Sequence, residues 1–151
     1  MREQSGRSLI EIIGVLAIGA IMVSATFAVY RTANQRQKRL IASESLQDIA
    51  TKTKTLLEYQ GYQPVSIRYL IEAGALNNDK APMGNSDWSI TSSIDGTEFS
   101  INLTGLSFDD CAYFTTKKFN WATRITVNGY ESNSASFCMK TGDNKVSFFA
   151  K

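Results

Sequence analysis

Residues 9–30 read LIEIIGVLAIGAIMVSATFAVY, twenty-two positions among which Glu11 is the only charge. As an α-helix this stretch would be about 33 Å long, enough to cross the hydrocarbon of a bilayer. It is apolar all round rather than along one stripe, as a membrane span should be. The plainer alternative is a helix buried in the core of a soluble domain. A six-residue polar leader, MREQSG, precedes it and Arg7 follows the leader directly. A carboxylate in a span costs about 3 kcal/mol at mid-bilayer and less near an end, so Glu11 calls for compensation. A cut after Gly6 would put a cationic α-amine on Arg7 and make Glu11 the fifth residue of the mature chain. The free end of a helix adds partial positive charge there. Glu11 then pairs with its own amine or with that of a neighbouring copy. In the second case the cost of insertion falls only on joining others, which is a rule for self-assembly. The alternative is an incidental acid snorkelling at the membrane edge.

Working outward, residues 31–60 hold neither Pro nor Gly. Leu40, Leu46, Ile49, Ala50, Thr53, Leu56 and Leu57 recur at three- and four-residue spacings, which predicts an amphipathic continuation of the same helix, stopped by Gly61 and Pro64. One helix over residues 8–60 would measure roughly 80 Å, and its outer half presents an apolar stripe that must lie against something. The cluster Arg31, Arg36, Lys38 and Arg39 lies just past the span. It reads as a solvated helix face or as a contact for acidic side chains of a neighbour. By the positive-inside bias it would hold the C-terminal body in the cytoplasm.

The remainder supplies a partner for the stripe. A short helix fits 66–73, ended by Gly74, and 77–87 is a loop rich in Asn, Asp, Gly and Pro. Phe99, Ile101 and Leu103 alternate as in a strand. Ser107 and Asp110 have the spacing of a capping box opening a helix to about 117, with Phe108, Cys111 and Phe114 on one face. Asn128-Gly129 and residues 141–144 are turn signals dividing strands at 122–127, 135–140 and 145–149. Trp88, Trp121, Phe148 and Phe149 are expected in the core. The expected fold is α+β: a long N-terminal α-helix, its first half membrane-spanning, packed against a C-terminal antiparallel β-sheet. Its parts are a leader at 1–6, the helix at 7–60 with its transmembrane half at 9–30, and a globular head at 61–151.

Composition narrows the function. The 151 residues carry sixteen basic and fourteen acidic side chains, a net charge of +2 that is too balanced for a phosphate-driven nucleic-acid binder. There is no histidine, which removes Ser-His-Asp and Cys-His catalysis and nearly every zinc site. No pair of acids is spaced as a general acid and base, and no phosphate loop or metal cluster is visible. An enzyme, a cofactor and a metal are therefore not expected. Cys111 and Cys138 are the only cysteines, allowing one intrachain bridge or two free thiols.

Gly6, the Gly6–Arg7 junction, Leu9-Ile10-Glu11-Ile12-Ile13 and the apolar run to Tyr30 together resemble the N-terminal signature of the type IV pilin superfamily. Residues 69–74, Ala81-Pro82-Met83-Gly84-Asn85, the 99–103 strand and Asp109-Asp110-Cys111 look like the body of type IVb pilins. The resemblance implies cleavage after Gly6 by a prepilin peptidase and N-methylation of Arg7. It also implies a role for Glu11 in subunit assembly and a Cys111–Cys138 disulfide closing a C-terminal loop. The implied partners are further copies in a filament, an inner-membrane assembly platform, and lipid before assembly. The implied location is the inner membrane with the head periplasmic, then the extracellular pilus. That topology is opposite to the one the basic cluster favours. Arg7 stands where the family usually has an apolar residue, the leader is short for the IVb branch, and the helix lacks the family's frequent proline.

Two other readings share these residues. One is a pseudopilin of a type II secretion system. The other is an exported monomeric binding protein with an ordinary signal, basic at Arg2 and Arg7, apolar over 9–22 and cut after Val23-Ser24-Ala25.

Overall fold

The computed structural model describes residues 4–84, 87–132 and 134–151, with side chains from Leu9 onward. The chain divides into two compact units, Met1–Gln37 and Lys38–Lys151. A single helix, α1, runs over Gln4–Leu57 and so contributes to both. It begins four residues before the expected start and ends three before the expected end.

In the second unit α1 buries Ala42, Leu46, Ile49, Ala50, Thr53 and Leu57, separated by three, four or one residues as one helix face requires. Leu40 and Leu56, expected on that stripe, are 55% and 36% exposed. The stripe is thus narrower than the spacing of apolar residues suggested, because each sits one position off the buried row.

Beyond α1 come α2 (Ile67–Glu72), β1 (Ser89–Ser92), β2 (Phe99–Leu106), α3 (Phe108–Thr116), β3 (Arg124–Val127), β4 (Tyr130–Glu131) and β5 (Asn144–Ala150). The strands form one antiparallel sheet in the order β1-β2-β5-β3-β4. The fold is α+β, a long helix packed on a five-stranded antiparallel sheet. The Ser66 hydroxyl accepts from the Tyr69 N–H and caps α2. Register aligns Ile90, Ile101, Phe148 and Ile125 across four strands on one face. That face and the buried row of α1 belong to one hydrophobic core. Phe114 of α3, with Phe119 and Trp121 of the following loop, surrounds Phe148 at ring separations of 5.1–6.1 Å.

Two expectations are corrected, and two strands join those expected. Residues 135–140 do not form a strand: Ala135–Phe137 is a 3-10 turn, since its backbone has no neighbouring strand to pair with. β1 and β4 were missed, being four and two residues long. Phe149 is not core; strand alternation turns it to the opposite face, where it is half-buried. The 77–87 loop contributes Met83 to the core, and Gly84 allows its close approach, because a Cβ there would stand 2.3 Å from the Thr104 carbonyl oxygen.

Candidate assembly helix and disulfide-bridged edge

In the first unit the side chains from Leu9 to Gln37 are all exposed. Thirteen large apolar residues, Leu9 through Tyr30, present more than half of their surface. An 18-residue window of mean hydropathy 2.4 lies here with none of it buried, so the helix is long and apolar enough to cross a membrane. Monomeric soluble proteins rarely leave so much contiguous apolar surface to water. The plainer alternative, a helix buried in the core of its own domain, is not what this unit has.

The polar residues within the stretch are satisfied locally. The Ser24 hydroxyl donates to the Ile21 carbonyl at 2.9 Å, and Thr26 donates to Met22 at 2.8 Å. Such back-bonding is what hydroxyls need in a medium without water. Glu11 differs. Among the described residues it has neither a hydrogen-bond nor an ion-pair partner, and it is exposed on the apolar helix. Gly6 and Arg7 belong to α1 by backbone, but their side-chain surroundings lie outside the described residues, as do leader residues 1–3.

The basic cluster is not uniformly solvated. Arg39 Nε donates to Asp110 Oδ1 at 2.7 Å, with both side chains largely buried, and its guanidinium lies 5.3 Å from the Tyr113 ring centroid. The Ser107 hydroxyl accepts from the Asp110 N–H, capping α3, and donates to Asp110 Oδ2 at 2.7 Å, so the Asp110 carboxylate ties that cap to Arg39 of α1. Burial acts to raise the Tyr113 hydroxyl's pKa. The hydrogen bonds with Ser43 and Lys117 and the nearby Lys117 and Arg39 cations outweigh it, and the net shift is downward.

Cys111 and Cys138 are bridged, with Cα atoms 5.9 Å apart. The bond joins buried α3 to the end of the 3-10 turn rather than to a strand. Sequence reasoning missed what else holds this segment. Fully buried Asn144 accepts from the Met139 N–H at 2.6 Å and donates to the carbonyls of Leu106 and Met139. Asn128 donates to the Phe137 carbonyl and to Asn144 Oδ1, and accepts from the Lys145 N–H. Both had the sequence signature of turn residues only. Asn128 is indeed at φ 50 in a two-residue hairpin turn with Gly129. The segment so fixed exposes Tyr130 and Phe137, stacked at 5.1 Å, and Met139 beside Cys138 in sequence.

No family model matches the chain, and no curated protein matches it.

Proposed function

We propose that the chain is a pilin-like structural subunit, inserted through residues 9–30, cut after Gly6 and N-methylated on Arg7, and drawn into a helical filament. The observation that carries this reading is a Glu11 with no partner among the described residues, on an apolar helix exposed from Leu9 to Tyr30. Lipid can cover the thirteen apolar side chains, but it cannot neutralise the carboxylate. A cationic terminus on an adjacent copy does both, because its own apolar helix replaces the lipid. In the membrane Glu11 pays a desolvation cost that subunit contact removes, which favours assembly and sets axial register. The folded head supports the reading, since it needs no residue before Lys38 to complete its core and is free to coat a filament. The subunit role also accounts for a disulfide in a chain whose head would mature in the oxidising periplasm.

The test is Glu11→Ala. Alanine makes insertion easier, so the variant should reach the membrane in normal amount while filament yield falls at least tenfold. Filaments at wild-type yield would remove the pairing. N-terminal sequencing of the mature chain is the companion measurement. A start at Arg7 supports the subunit reading, in a pilus or in the pseudopilus of a secretion system. A start at Thr26 would instead identify an exported monomer that has shed the apolar helix.

A further inference from the structure

The sheet face opposite the core is built differently from an ordinary solvated one. Register aligns Asn102, Ser147 and Thr126 in one row and Ser100, Phe149 and Arg124 in the next. An outward sheet face is usually polar, with its side chains in water. Here Asn102, Ser147 and Thr126 are only 4%, 5% and 8% exposed, at the floor of a trough of about 540 Å³. That volume is in the range of small-molecule sites.

The floor has unspent hydrogen-bonding capacity. Ser100 is paired with Thr91 at 2.8 Å, and Asn102 gives one N–H to the Ser89 carbonyl at 3.4 Å. The hydroxyls of Ser147 and Thr126 and the side-chain oxygen of Asn102 have no partner among the described residues. They are nonetheless open to the trough: the side-chain atoms both sealed and unpaired, among the described residues, are Thr53 Oγ1 and Trp121 Nε1. At one end Arg124 is immobilised, donating from Nη2 to Glu98 Oε1 at 2.6 Å with its guanidinium 3.7 Å from the Phe149 ring centroid. At the other end stands Lys145, four residues along β5 and so about 13 Å from Phe149. Lys145 has no ion-pair partner among the described residues.

We propose that this trough binds an acidic saccharide. Sugar hydroxyls both donate and accept, as the Ser147, Thr126 and Asn102 groups require. The carboxylate of the sugar meets Lys145, and vicinal hydroxyls meet the held Arg124–Glu98 pair, which offers a donor and an acceptor side by side. The lining carries two cations against one acid, too little for a nucleic-acid backbone. The floor lies in mid-sheet, where a peptide finds no free strand edge to extend. The inference is independent of the assembly reading, since it uses only residues of the second unit.

The experiment uses the full chain in a phosphocholine detergent, free of sugar head groups. Digalacturonic acid, its methyl ester and acetate are titrated calorimetrically, and amide NMR locates the contact. Digalacturonate should bind saturably and shift the amides of Asn102, Thr126 and Ser147. Lys145→Gln should weaken the acid about tenfold and leave the ester unchanged, while Ser147→Val should abolish both with the remaining spectrum intact. The proposal is overturned by no saturable binding, by shifts confined to other residues, by acetate binding as tightly as the sugar acid, or by either variant binding digalacturonate like wild type.

Discussion

Hydroxyl groups at Ser24 and Thr26 close hydrogen bonds within their own helical turn, whereas Glu11 cannot, because a carboxylate has no proton to give to a helix carbonyl. The same accounting of donors and acceptors singles out Asn144 in the head. Its side chain meets one backbone N–H and two backbone carbonyls, and it is fully buried. Asn144→Ala would strand those groups away from water, so a loss of about 2–3 kcal/mol is expected in thermal unfolding. The amide of Met139 should also lose its protection from hydrogen exchange. Thr53 is the opposite case. Its buried hydroxyl has no partner, so Thr53→Val should be neutral or stabilise by up to about 1 kcal/mol in the same assay.

At the scale of the element, α1 carries one helical hydrogen-bond ladder through two different environments. From Leu9 to Gln37 its side chains are exposed on all sides; from Ala42 onward a single face is covered. The contrast between Leu46 and Leu40 measures that change. Leu46→Ala removes a fully buried side chain and should cost the head about 2–5 kcal/mol. Leu40→Ala, at a half-exposed position, should stay within about 0.5 kcal/mol in the unassembled chain. Urea unfolding monitored by Trp88 and Trp121 fluorescence reads both. The 3-10 turn at 135–137 makes the complementary point about strands. Its residues alternate acceptably for a strand, but strands exist only in pairs, and residues 135–137 pair with no strand of the sheet, which ends at the two-residue β4.

For the whole molecule, the disulfide and the asparagine braces act on one segment. The bridge spans 27 residues, and closing a loop of that length stabilises by about 3.5 kcal/mol in the chain-entropy picture. Reduction should therefore lower the unfolding midpoint while β2 and β5, which form the middle of the sheet, keep their exchange protection. Amides between 134 and 143 should become exchangeable first. Simultaneous loss of protection across the sheet would show instead that the bridge holds the entire head together.

The apolar helix, its continuation past Arg31 and the α+β class were legible in residue order alone, because hydrophobic periodicity and the absence of helix breakers are local properties. The capping Ser107 and the Asn128-Gly129 turn were legible for the same reason. The sequence could not show that Arg39 would meet Asp110, 71 residues away, or that Asn128 and Asn144 would brace the disulfide segment. Nor could it show that small polar side chains from three strands would floor a trough. Those outcomes depend on which distant segments the sheet order brings side by side. That order is set by burying the core face as a whole, and the polar contacts follow from it.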